Sequence, residues 1–195
     1  MKRWVLIAAA IFAANAALFH WRSGDGPEGA GLATLRPAPL GFEAPAAPLA
    51  TSDGQIRQIR DWQGEVAIVA LWATWCPICR HEMPELDRLA SNWATKGITI
   101  LPISLDQHPR ALELIQDWYR RNGVAELPIL HDRDGIFAGT VTATATPTTL
   151  IVDRSGMVVA SAIGRTDWSD PAIGAYLSNL ARAETTEAAR ALLNP

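Results

Sequence analysis

Two residues separate Cys76 from Cys79, the chain's two cysteines, and the pair stands where an unbroken apolar run, Val66–Trp72, passes into a pattern of helical period. That juxtaposition restricts the fold more than any other feature. A run that is apolar throughout reads as a strand covered on both faces. After it, Leu86, Leu89, Ala90 and Trp93 recur at three- and four-residue intervals, so a helix is expected from about Cys76 to Thr95, ended by Lys96-Gly97. A strand that feeds directly into a helix belongs to an α/β domain with its sheet packed between layers. A disulfide across two residues closes almost no loop, so it restrains the unfolded chain little. Chemistry explains the pair better than stability does.

The chemistry follows from the placement. A thiolate at a helix N-terminus faces unpaired backbone N–H groups and the positive end of the helix dipole. Cys76 takes the N-cap-like position, and Pro77 suits the next one because no N–H donor is needed there. Such a thiol is expected to ionise below the free value of about 8.5. Cys76 would attack a substrate disulfide and Cys79, one turn along, would resolve the mixed disulfide. Trp75 is placed to shield one side of Cys76. Zinc normally takes four ligands, and His81, His108 and His131 show no paired spacing, so neither a metal nor a cofactor is expected. The rival from another class is a carrier of copper or haem that uses the two cysteines as ligands, with Met83 or His81 as a third. A peroxidase of TxxC pattern would need Thr at position 73, which is Ala.

Along the rest of the domain the reading is an extended piece at Gln55–Ile59, a second buried strand at Ile98–Leu105 and a helix at Pro109–Arg121 burying Leu112, Ile115 and Trp118 or Tyr119. Pro128–Leu130 reads as extended and Asp134–Gly139 as one helical turn. Thr148–Asp153 and Met157–Ile163 form a hairpin through Arg154-Ser155-Gly156. Asp170 caps a last helix that has Pro171 at its first position, runs to about Leu193 and turns Ile173, Tyr176, Leu177 and Leu180 inward. The order gives an α/β fold: a mixed central sheet, parallel first and closed by the hairpin, with helices on both faces. Thr146-Pro147-Thr148 leads one hairpin strand. A trans proline is the local reading there; a cis bond would bring the preceding backbone beside the cysteines.

The N-terminus carries a basic head, Met1-Lys2-Arg3, and an apolar run from Trp4 to Trp21. That length just spans a bilayer, and the positive head predicts the N-terminus inside and the rest exported. An uncleaved signal anchor over residues 1–22 is the expectation, with cleavage at Ala14-Asn15-Ala16 open as the alternative. Ser23–Pro48, rich in Gly, Pro and Ala, reads as a linker, and the domain as 49–195. A net charge of −3 with no Lys/Arg cluster leaves no footprint for nucleic acid.

Trp72-x-x-Trp75-Cys76-Pro77-Ile78-Cys79, Pro84, Thr146-Pro147-Thr148 ahead of an apolar strand and Gly164 after the hairpin together resemble the thioredoxin superfamily, and within it the TlpA/ResA-like membrane-anchored branch. The resemblance covers about Leu49–Leu180. It implies a thioredoxin-like fold, a cis Pro147 beside Thr146 that shapes the substrate site, Cys76 as the exposed nucleophile, a kink at Pro84 and an N-terminal anchor in the bacterial inner membrane with the catalytic domain in the periplasm. Partners implied are exported proteins with disulfides and a membrane electron donor. The chain departs from the thioredoxin pattern at Ala70, where a buried Asp would move protons for the second cysteine; Asp106 is the substitute relay expected here. Val141–Thr146 lacks the Gly-rich motif of the cytochrome-maturation branch, which weakens a dedicated cytochrome c role. Pro77-Ile78 supplies neither charge nor side-chain hydrogen bond, so reduction of partner disulfides is the expected direction. Trp62, Trp72, Trp75 and the Ala145-Thr146 turn are groove candidates.

Overall fold

The structure is a computed structural model that describes residues 31–38 and 42–193. Among the described residues no helix is long and apolar enough to cross a membrane; the expected anchor, residues 1–22, lies outside them.

In chain order the strands are β1 (Arg36–Pro37), β2 (Leu49–Thr51), β3 (Ile56–Arg57), β4 (Val66–Trp72), β5 (Ile98–Ser104), β6 (Leu130–His131), β7 (Thr148–Val152) and β8 (Val158–Ile163). The helices are α1 (Pro77–Ala94), α2 (Ala111–Asn122), α3 (Ile136–Thr140), α4 (Pro171–Leu180) and α5 (Thr186–Ala191). The strands make one sheet in the order β1-β8-β7-β4-β5-β6-β2-β3. β4 lies at its centre, parallel to β5 and antiparallel to β7, with β6 parallel to β5 beyond. This is the mixed sheet the sequence implied, in a thioredoxin-like arrangement.

Period-two alternation along β4 divides the core. Val66, Ile68, Ala70 and Trp72 face one side, where α1, α2 and α4 cover them with Met83, Leu86, Trp93, Ile115, Trp118, Ile173 and Leu177. Ala67, Val69 and Leu71 face the other, against Leu49, Ile59, Leu130 and Phe137 of α3. Trp72 therefore belongs to the core, its ring 5.0 Å from that of Trp118, and not to a groove. Trp62 packs partly buried against the second cluster.

Two parts of the chain differ from the sequence reading. Within the described residues the Gly/Pro/Ala-rich stretch is packed onto the domain and does not stand off as a spacer. Leu35, Ala38 and Ala47 are buried, β1 pairs antiparallel with the free edge of β8, and Glu43 bridges Met157. Leu32 donates its N–H to Asp170 Oδ2 at 3.0 Å, while Asp170 Oδ1 caps Ala172. Those two backbone donors, Leu32 first, hold the Asp170 carboxyl below the ordinary range. Gly31 sits so close that a Cβ there would run into the Asp170 side chain. The last helix is two helices. α4 ends at Leu180, and α5 starts anew from Thr185, whose hydroxyl accepts the Ala188 N–H. Thr186 Oγ1 donates to Asp153 Oδ2 and so ties α5 to the β7–β8 hairpin.

Candidate active site

The C-terminal ends of β4, β5 and β6 and the loops flanking the β7–β8 pair lie along one edge of the sheet, and the two cysteines sit at its middle. β4 hands over to α1 through the turn Ala73–Cys76, closed by the Cys76 N–H on the Ala73 carbonyl at 3.1 Å. Cys76 is the N-cap of α1, its sulfur accepting the Cys79 N–H at 3.2 Å, and Pro77 opens the helix. No acidic side chain stands in the first turn to compete with that sulfur for the positive end of the helix. The two cysteines are joined as a disulfide. Cys79 is fully buried and Cys76 is 3% exposed, so the nucleophile implied by the resemblance is shielded in the oxidised state. What the surface presents are its neighbours, Trp75 at 65% and Ile78 at 47% exposure.

The Thr146–Pro147 peptide is cis. β7 pairs with β4 so that Thr148 stands opposite Leu71, which sets Pro147 next to the end of β4. The loop is held from both sides: Gly164 donates to the Pro147 carbonyl at 2.8 Å, and Thr148 Oγ1 to the Ala145 carbonyl at 2.7 Å. Thr146 is half-buried and Pro147 buried on the same edge as the disulfide.

Asp106 is no solvated loop residue. It is 4% exposed. Its Oδ1 accepts the Thr74 hydroxyl at 2.6 Å, and its Oδ2 accepts the Thr74 N–H at 3.0 Å and the Ser104 hydroxyl at 2.7 Å.

A second buried carboxylate, Glu82, is one that the local sequence does not announce. Glu82 lies on α1 three residues after Cys79, a spacing that makes the two neighbours on one helix face. It is 2% exposed. Its Oε1 accepts the indole N–H of Trp168 at 2.6 Å and the Thr166 N–H at 3.3 Å. Burial pushes its carboxyl up to about 7, against the downward pull of those two donors. The signal available was a Glu inside the apolar stripe of α1, where Cys79, Met83 and Leu86 share its face. Of the alternative soft ligands, Met83 is buried in the core and His81 is exposed. Among the described residues no three His, Cys, Asp or Glu side chains converge to hold a metal.

Two surface depressions, of about 550 and 130 Å³, are lined by residues such as Gln116, Tyr119 and Leu127, and Ala94, Ile98 and Glu126; neither includes the cysteine turn or the Pro147 loop.

The AhpC/TSA family pattern matches residues 40–161. The thiol-disulfide oxidoreductase ResA of Bacillus cereus is 27% identical over 125 residues, 64% of this chain and 70% of its own length. The thioredoxin-like protein YneN of Bacillus subtilis is 31% identical over 120 residues, 60% of this chain and 68% of its own. In fold, the chain is similar to a thiol:disulfide interchange protein DsbE from Chlorobium tepidum, with a TM-score of 0.62, 23% identity, and 73% of this chain and 97% of that one covered. With Cys76 and Cys79 on the strand-to-helix turn and the cis proline on the same sheet edge, the chain belongs to the thioredoxin-like AhpC/TSA family, and its relatives there include thiol–disulfide oxidoreductases of the ResA type.

Proposed function

We propose that this chain is an envelope thiol–disulfide oxidoreductase that reduces disulfides in exported proteins through Cys76 and Cys79. In this reading residues 4–21 hold it in the bacterial inner membrane, the catalytic domain lies in the periplasm, and a thiol-transferring membrane donor keeps it reduced. The observation that carries it is the cap. The Cys76 sulfur has one neutral backbone donor and a helix terminus, with no cationic side chain in the CxxC to hold its thiolate strongly. A thiolate stabilised only moderately belongs to a moderately reducing couple.

The steps balance as follows. The Cys76 thiolate attacks one sulfur of a partner disulfide, and the other partner sulfur leaves as a thiolate. Cys79 gives up its proton and attacks Cys76, and the second partner sulfur leaves. Two electrons have moved to the partner, and the protein holds the disulfide seen here. Glu82, one turn from Cys79 and titrating near neutrality, is the group placed to take the Cys79 proton. Exposed Trp75 and Ile78 and the Pro147 loop offer an apolar, open surface that suits an extended protein segment better than a small molecule.

A glutathione redox titration of the full chain in detergent tests the direction. A potential near about −270 mV, or lower, supports the reductase; one near about −120 mV makes the protein an oxidant instead. Failure to form a reversible disulfide, with tight copper binding lost on Cys→Ser substitution, would replace the oxidoreductase with the metal-carrier reading.

A further inference from the structure

We propose that Asp106 is a positioning residue for thiol exchange: through Thr74 its carboxylate fixes the turn that presents Trp75 and Cys76. The inference rests on the oxidoreductase reading and assigns that site a support which the pattern of cysteines and prolines does not reveal.

Every polar group of Asp106 is engaged. Its N–H donates to Ser104 Oγ at 3.2 Å, and its carbonyl accepts from His131 Nε2 at 2.7 Å. The backbone of Asp106 is thereby fastened to the ends of β5 and β6, and its side chain reaches across to Thr74. There it takes both donors, the N–H and the hydroxyl, while Ser104 supplies a third donor to the carboxylate. Thr74 is the second residue of the Ala73–Cys76 turn, the first of its two inner positions. In a turn closed only by its end-to-end bond, the inner peptides can rotate. Gripping both the N–H and the hydroxyl of that inner residue restricts the turn at Thr74, next to Trp75, the other inner residue. Cys76 is then delivered to the helix N-terminus in the orientation in which its sulfur meets the Cys79 N–H.

Three hydrogen-bond donors point at this carboxylate, which is what a fixed acceptor needs. Glu82, with its raised pKa, is the carboxylate suited to proton transfer; Asp106 is suited to geometry.

The test compares D106A, D106N and T74V in the full detergent-solubilised chain. Read are the rate of disulfide exchange with dithiothreitol and the pH midpoint of thiolate absorbance in the reduced protein. An amide in place of the carboxylate keeps an oxygen for the Thr74 N–H and the Ser104 hydroxyl, and its NH₂ can donate to Thr74 Oγ1 with the roles reversed. Asn therefore preserves the grip and abolishes any proton relay. Expected is a loss of about tenfold or more for D106A with an upward shift of the thiolate midpoint, a loss of less than about threefold for D106N, and an intermediate loss for T74V. If D106A does not fold, a T74V rate below that of D106N supports positioning, and a T74V rate equal to wild type overturns it. D106N as slow as D106A overturns it too, in favour of a proton-carrying role. Wild type that exchanges while D106A keeps pace defeats the positioning role alone, whereas wild type that exchanges nothing defeats the oxidoreductase reading and this inference together.

Discussion

Trp168 donates its indole N–H to Glu82 Oε1 across 2.6 Å and in doing so fastens the loop after β8 to the helix that carries both cysteines. Because burial raises the Glu82 carboxyl from an ordinary value near 4.5 to about 7, the folded protein holds a proton there that the unfolded chain has released. Stability linked to this group is therefore complete below about pH 4.5 and is lost as pH rises through about 7. The loss amounts to roughly 3 kcal/mol at most. Urea midpoints of wild type and Glu82→Gln, compared from pH 4.5 to 8, check this: the difference between them moves in favour of the Gln variant as pH rises. A difference independent of pH would mean that Glu82 titrates normally.

Trp168→Phe keeps the ring and removes the donor. Since that N–H lowers the Glu82 carboxyl's pKa, its loss moves the titration further upward. It also leaves a buried acceptor short of a partner, at about 1–3 kcal/mol. The carboxyl stretch followed by infrared spectroscopy against pH reports the shift, and thermal unfolding reports the stability.

Cys79→Ala leaves Cys76 able to attack but not to be released, so a stable mixed disulfide with a model peptide is expected. Cys76→Ser forms none. Serine keeps an oxygen for the Cys79 N–H, so Cys76→Ser holds the α1 cap while Cys76→Ala loses it, at about 1 kcal/mol. Intact-mass measurement under non-reducing conditions detects the adduct, and chemical denaturation separates Ser from Ala.

Asp87 on α1 accepts three consecutive backbone N–H groups, those of Ala125, Glu126 and Leu127, on one oxygen. Asp87→Leu would strand all three beside the core, and a loss of at least about 2 kcal/mol is expected. The exchange rate of the Cys76–Cys79 pair, measured where the variant is folded, should stay near that of wild type, because this support lies away from the cysteine turn.

A fragment starting at Leu49 should be less stable than one starting at Gly24. The former lacks the β1–β8 pairing and the buried Leu35, whose side chain alone is worth about 1.5–3 kcal/mol. Equal denaturation midpoints would show that the segment adds nothing. Gly31→Ala in the longer fragment should reproduce part of the loss by pushing the segment off Asp170.

What could be read from the sequence were the elements whose signal is local. β4 is apolar at every position and α1 starts at a capping residue followed by proline, so both announce themselves, and with them the place of Cys76. Thr146-Pro147 was legible only by resemblance, since nothing nearby decides between cis and trans. Glu82 was missed because a lone glutamate in a helix is ordinarily solvated; its partner Trp168 is 86 residues away. Asp106 stands out by its position just after β5, yet its partnership with Thr74 depends on the parallel register of β4 and β5. The break between α4 and α5 hides in a run of good helix formers, and Thr185 ends that run only because its hydroxyl caps the next turn. Residues 31–48 have the composition of a spacer. What they find in the fold is the unpaired edge of β8 and the carboxylate of Asp170, neither visible from local sequence.

The strap along β8 would also shorten a leash to a membrane. If the run ending at Trp21 lies in a bilayer, a spacer of 26 residues from Ser23 to Pro48 could let the start of the domain stand roughly 90 Å from the membrane. With the chain gripped from Gly31 onward, the eight residues Ser23–Ala30 reach at most about 28 Å. A catalyst so closely moored would not search the compartment. It would sample a thin layer above the lipid, and the disulfides it met would be those of proteins themselves held at, or brought to, that surface.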